Sequence, residues 1–235
     1  MSEVGEVKAA WMNRTRVYRG LNMRCSPGLH ERGLEMLIRN GAPKSGILDL
    51  AAGTGAWIAR LEDAEFRDIS AIERNTAEFG LPSIKPLDLN LDEDFASHMG
   101  RKFNLVTALE IIEHLENPFH FLREIRMLLE PGGWLLFSTP NVSSWHGRLK
   151  FLALGQLRGF DERNFYSQRH ISPLTEAQIR PLLQETGFDM IERVTAGEFY
   201  GWGKLALLSP LWVPLCAWAG RSAWGDAGVH ICRAR

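Results

Sequence analysis

Apolar positions along this 235-residue chain first repeat at helical spacing, then alternate from Gly46 onward between strand-like runs and helical stripes. The first forty residues read as helical. Ser26-Pro27 looks like a cap followed by a first-turn proline. Leu29, Gly33, Leu34, Leu37 and Ile38 recur on one face, and Gly41 can close the helix. Residues 47–50 form a short strand running into a glycine turn, and 57–61 continue as helix. Strands two, three and four are read at 68–73, 84–87 and 103–108. Asn117-Pro118 opens a helix with the stripe Phe121, Leu122, Ile125, Leu128 and Leu129. Gly132-Gly133 ends it, and 134–138 is the fifth strand. A further helix at 175–186 stops at Gly187, with strands six and seven at 190–195 and 228–234. Alternation of this kind predicts a mostly parallel sheet with helices on both faces. Residues 141–173 and 197–227 fall outside it. Connections of that length are usually functional or carry structure, so both are expected to hold helices that cover a site.

Composition narrows the class. With 45% hydrophobic and 23% charged residues, the chain can build a core. A net charge of −1 draws it to no nucleic acid. Cys25, Cys216 and Cys232 are far apart and form no C-x-x-C pair, which argues against a disulfide framework and fits a reducing cytoplasm. No apolar run stands in Met1 to Ala10, so no secretory signal is expected there. The apolar run 205–220, broken by Pro210 and Pro214, is shorter than the roughly 20 residues a spanning helix needs. It is expected to be buried or interfacial.

The candidate chemistry begins at Asp49-Leu50-Ala51-Ala52-Gly53-Thr54-Gly55, a glycine turn between a strand and a helix. Gly53 and Gly55 let the backbone turn sharply and a ligand approach closely. A dinucleotide loop needs a third small residue, but Ile58 stands there, and Asp49 suits a cationic ligand better than a pyrophosphate. Glu73, 24 residues after Asp49, ends the second strand and can accept both hydroxyls of a ribose. Asp88 follows the third and can accept from an adenine amino group. Acids at successive strand ends converge on one crevice.

On three stretches, ILDLAAGTGAW (47–57), FNLVTALEIIEHLENP (103–118) and LEPGGWLLFSTPN (129–141), the chain resembles the class I S-adenosylmethionine-dependent methyltransferases. It looks most similar to the branch of the ubiquinone-biosynthesis O-methyltransferases. The resemblance implies a Rossmann-like α/β fold with a seven-stranded, mostly parallel sheet, an antiparallel last strand, and helical insertions after strands five and six. It also implies one domain over 1–235: an N-terminal helical segment (1–45), a cofactor-binding core (46–140) and cover insertions at 141–173 and 197–227. By position, Asp49, Gly53 and Gly55 match the motif that cradles the methionine part of S-adenosylmethionine. Ala51 stands where the family commonly has glycine, which is tolerable if φ stays negative. Glu73 matches the ribose acid, Asp88 the adenine-side acid and Leu89 a residue packing on the adenine. Ala108, Leu109 and Glu110 match the strand end bordering the methionine part and the acceptor.

Methyl transfer needs orientation and, for a hydroxyl acceptor, a base. In Glu110-Ile111-Ile112-Glu113-His114, a helical turn would put Glu110 and His114 on one face, making His114 a candidate base or a loop anchor. In the family it resembles, a polar and aromatic segment ahead of the next helix helps close the acceptor pocket, which implies that His170 or Tyr166 meets the acceptor. His146 is expected at the surface. The spacing is not H-E-x-x-H, so no metal is expected. Trp145, Leu149, Leu152 and Leu154 interleave with Arg148, Lys150 and Arg158, as in a lid helix or a helix on a membrane or apolar acceptor. In the ubiquinone branch an insertion at this point is associated with membrane contact. Phe199, Tyr200, Trp202, Trp212, Trp218 and Trp224 surround the 205–220 run and suit a pocket wall, a homodimer contact or peripheral membrane docking, in that order.

The expected function is methyl transfer from S-adenosylmethionine to a small acceptor: lipid-like, a natural product or a sugar. Oxygen is the favoured target, with N- or C-methylation open. A nucleotide-dependent oxidoreductase and a catalytically silent cofactor-binding protein are the alternatives, and titration with S-adenosylmethionine, S-adenosylhomocysteine and NAD separates them.

Overall fold

A computed structural model describes residues 17–197 and 224–235. Its first feature corrects the helical reading of the N-terminus. Arg19 and Gly20 both take positive φ, 50° and 79°, a mirror-image turn joining β1 (Val17–Tyr18) to antiparallel β2 (Leu21–Asn22). Two consecutive left-handed residues cannot continue a right-handed helix. The helix α1 (Leu29–Arg39) starts only after Gly28, at φ 74°, rather than at Ser26-Pro27. It buries Leu29, Met36 and Leu37, while Ile38 of the expected stripe faces solvent.

The main sheet contains β3 (Ser45–Leu50), β4 (Arg67–Ile72), β5 (Phe103–Ala108), β6 (Leu129–Pro140), β7 (Phe188–Ala196) and β8 (Ala227–Ala234). Their order is β4-β3-β5-β6-β8-β7. The pairs β3–β4, β3–β5 and β5–β6 are parallel, and β8 runs antiparallel to both neighbours. The expected third strand is present as a single bridge, Leu87 to Ile72, on the open edge of β4. Pro86 precedes it without an N–H to donate, so the ladder stops there. β6 begins at Leu129, not Trp134, because Leu129 is already extended (φ −87°, ψ 141°) and ends α3 (Pro118–Leu128).

Strand alternation sends neighbouring residues to opposite faces. Leu48, Leu50, Val106, Leu135 and Phe137 pack with Phe121, Leu122 and Ile125 of α3. Ile47, Leu105, Leu136 and Ile231 pack with α1 and with Trp57 and Leu61 of α2 (Ala56–Asp63). The β1–β2 hairpin sits on α2, with the Tyr18 hydroxyl donating to Asp63 at 2.7 Å. After β3 the chain moves outward to β4 and then crosses back to β5, so the parallel strands part at the C-terminal ends of β3 and β5. Ligands bind at such a switch point.

The insertion after β6 contains helices, α4 (Trp145–Leu154) and α5 (Glu162–Gln168), and α6 (Glu176–Glu185) follows. Most of the aromatic segment after β7, including the 205–220 run, lies outside the described residues. Among the described residues no helix is long and apolar enough to cross a membrane.

Candidate active site

The same alternation that builds the core brings a carboxylate inward at the end of β3. Asp49 pairs in register with Thr107 of β5, and the Thr107 hydroxyl donates to its Oδ1 at 2.6 Å. Asp49 is 2% exposed. Burial pushes its pKa up to about 7, opposed by the Thr107 bond and reinforced by the charge of Glu73. The chain then turns through Ala51, at φ 55°. The condition of negative φ is not met, so Ala51 carries left-handed strain of about 1–2 kcal/mol. Glycine there relieves it but is freer in the unfolded chain by about 0.4–1 kcal/mol. Ala51→Gly is therefore expected to raise stability by roughly 0.5–1 kcal/mol, read as a higher urea midpoint; a lower midpoint would contradict the strain.

Gly53, at φ 57°, has no atom within 4 Å of where a Cβ would stand, so open space lies over the loop. Its N–H donates to Glu73 Oε2 at 2.6 Å, and Asn75 N–H donates to Oε1 at 2.7 Å. Glu73 is thus aimed by two backbone donors at the crevice mouth. Beside it lies a compartment of about 290 Å³ walled by Ile72, Leu89, Ile111 and Leu115. Asp88 does not join it: exposed at the surface, it lines a separate depression with Phe79 and Lys85. Ala108 is fully buried and backs the site, while its neighbour Leu109 lines it.

Beyond β5 a larger cleft of about 1010 Å³ runs from Gly53 and Glu73 to α4 and α5. Glu110 enters it at φ 51°. Its N–H donates to Ser138 Oγ at 2.8 Å, and that hydroxyl donates back to Oε1 at 2.9 Å. Ser26 donates to Oε2 at 3.4 Å. Glu113 is 1% exposed, and its Oε2 has no partner among the described residues. Burial, then the Glu110 charge, raises its pKa well above the carboxylate range. The loop is a 3-10 turn over Ile112–His114, and His114 pairs with His170 rather than Glu110, rings edge to face at 4.8 Å. Burial lowers both imidazoles. Gly159 O engages His170 Nδ1 at 2.8 Å, and backbone of Gln168, Arg169 and Glu110 lies near the His114 ring. Ligand atoms of Glu113, His114 and His170 lie within 4.8 Å of one another and could together hold a cation.

The methyltransferase-domain family profile matches residues 18–193, well over half of the chain. The chain belongs to the methyltransferase domain family. A ubiquinone biosynthesis O-methyltransferase of Chromobacterium violaceum is 32% identical over 102 residues, 40% of this chain and 44% of that protein. The chain spans about half the length of the curated relatives it matches. Among solved structures, magnesium protoporphyrin IX methyltransferase of Synechocystis with bound S-adenosylhomocysteine superposes with a TM-score of 0.57. It is 14% identical, covering 88% of this chain and 82% of that one. A possible histamine N-methyltransferase of Thermotoga maritima gives 0.57 at 15% identity, covering 99% and 95%. These neighbours share the fold.

In this member of the methyltransferase domain family the structure gathers Asp49, Ala51, Gly53, Glu73, Leu89, Glu110, His114 and His170 around adjoining cavities. Gly55 stands behind the loop against Leu81. Tyr166 points to solvent, 78% exposed. His146, expected at the surface, is half-buried with Nε2 3.9 Å from Asp226. Sequence reasoning missed Glu113, visible in the string but read past, and the linker Met23–Pro27, which reaches the cleft with no periodic signal to mark it. It also missed Asp161 and Asp226, and it placed Lys150 and Arg158 only on a lid or membrane face.

Proposed function

We propose that this methyltransferase uses S-adenosylmethionine to methylate an acceptor oxygen, with His170 as the base. The cofactor site fits the ligand in three respects. Among the described residues, space stands open over Gly53, Asp49 is a buried acid without a cationic partner, and Ile72, Leu89, Ile111 and Leu115 give the compartment beside Glu73 an apolar side. Glu73 would hold the ribose hydroxyls, Asp49 the ammonium end, and Leu89 with Ile111 the adenine. When bound, the cofactor supplies an electrophilic methyl group.

The base assignment rests on one observation. A carbonyl only accepts, so the contact with Gly159 O makes Nδ1 of His170 the protonated nitrogen. Nε2 is left to take the hydroxyl proton. His114 packs edge to face against that ring and anchors the loop.

Calorimetry with S-adenosylhomocysteine tests the cofactor site. Asp49→Asn and Glu73→Gln are each expected to weaken binding by about 1–3 kcal/mol. An acid raised to about 7 is mostly protonated at pH 6 and mostly ionised at pH 8. Its ionised form is the partner of the ammonium, so wild-type affinity rises across that interval and the Asp49→Asn variant loses the dependence. Unchanged affinity in both variants refutes the site.

A further inference from the structure

Helices α4 and α5 do not present an apolar face to the cleft, as a lid over an apolar acceptor would. Phe151, Leu152, Leu154, Phe165 and Tyr166 face solvent, with Leu152 84% exposed. Every side chain that α4, α5 and their connecting loop turn to the cleft is polar: Lys150, Arg158, Asp161, Asn164, Ser167 and Gln168. Two ion pairs organise this wall. Lys150 Nζ meets Asp161 Oδ2 at 2.6 Å, and Arg158 meets Asp226, just ahead of β8, at 2.9 Å.

We propose that the acceptor is a neutral polyhydroxylated ring, of the sugar or cyclitol kind, gripped by the Arg158–Asp226 and Lys150–Asp161 pairs. The proposal deepens the methyl-transfer reading and rests on it. Each pair sets a donor beside an acceptor, and neither is saturated by its partner. A guanidinium has five N–H donors and a carboxylate about four lone-pair sites. A hydroxyl both donates and accepts, so neighbouring ring hydroxyls can bridge such a pair without leaving either charge unmatched.

Charge and desolvation separate this class from the others. An anionic acceptor finds Lys150 and Arg158 already neutralised by Asp161 and Asp226. A cationic acceptor finds the Asp161 and Asp226 carboxylates already paired with Lys150 and Arg158. An isoprenoid or bare aromatic acceptor would cover four charged groups without replacing their hydrogen bonds to water, a cost that polar binding avoids.

The test is saturation-transfer NMR on the full chain with S-adenosylhomocysteine present. The probes are methyl hexopyranosides, myo-inositol, a prenylated catechol and a benzoate. The expected result is saturation of a hexopyranoside or of inositol, reduced about tenfold in Arg158→Gln and in Asp226→Asn. S-adenosylhomocysteine affinity should stay unchanged in both, showing that each variant still folds, although melting temperature falls as a part-buried ion pair is broken. Saturation of the catechol or benzoate alone, of no polyol, or of a polyol equally in wild type and in both variants overturns the proposal. If the wild type fails to bind S-adenosylhomocysteine, the methyl-transfer reading is what falls.

Discussion

His170→Gln is expected to lower kcat by about 10²- to 10⁴-fold, the usual contribution of a positioned base. S-adenosylhomocysteine affinity should be unaffected, because His170 stands on the acceptor side of the cleft. The pH profile makes the assignment specific. Burial holds the His170 pKa below its ordinary 6.5, against the opposing pull of Gly159 O. A base works in its unprotonated form, so wild-type kcat rises along a limb below pH 6.5 and levels off above it. His170→Gln removes that limb along with the rate. His114→Gln should act differently. Its ring packs edge to face on His170 at 4.8 Å, so its loss loosens the join between the loop after β5 and the insertion. The acid limb then persists at a lower plateau. Steady-state kinetics of both variants, on the acceptor found by NMR, decide the matter. A larger loss in His114→Gln, with the limb intact in His170→Gln, would transfer the role to His114.

The strands that carry the site were legible because their positions repeat with a fixed period. Ile47, Leu105 and Leu136 face α1 and α2, and the same period puts Asp49 and Thr107 on that face one step further along. A polar residue at an inward position near a strand end is a signal that one sequence can give. The hairpin gave none. Its strands are two residues each, and its Arg19-Gly20 turn lacks the Asn or Asp that usually marks a positive-φ pair. The edge strand shrank to one bridge for a local reason, the proline at 86, which was visible but outweighed by the apolar run around it. The polar wall was misread through averaging. The apolar and basic residues of α4 suit a lid helix, a membrane face or an apolar acceptor equally in sequence, whereas the fold turns Lys150 inward and Leu152 outward. Which face of a short helix meets a cleft is set by the loops anchoring it. Those anchors, Asp161 and Asp226, lie 11 residues beyond Lys150 and 68 beyond Arg158 in the chain.

Gly53→Ala and Gly55→Ala are expected to fail in different ways, and the contrast separates the cofactor's needs from the fold's. Both glycines sit at positive φ, 57° and 87°, so a Cβ costs each about 1–2 kcal/mol. At Gly55 the new carbon would also stand 2.9 Å from Leu81 Cδ1 and 3.3 Å from Phe79 Cε2. Leu81 is buried among Ala52, Ile58, Ala59 and Ala71 and has little room to yield. Overpacking of this kind adds about 1–3 kcal/mol. The total, roughly 2–5 kcal/mol, is a large fraction of the 5–15 kcal/mol typical of a domain. At Gly53 the Cβ meets open space, so stability falls only by the backbone cost. That space is where the methionine part of the cofactor would lie, so Gly53→Ala is expected to weaken S-adenosylhomocysteine binding by about tenfold or more, as when a close backbone approach is blocked. Urea unfolding and calorimetry on both variants read the two effects apart. If Gly53→Ala binds as tightly as the wild type, the ligand does not cross the loop there. If Gly55→Ala unfolds at the wild-type midpoint, the contact with Leu81 is not a constraint on the turn, and Gly55 is present for the ligand after all.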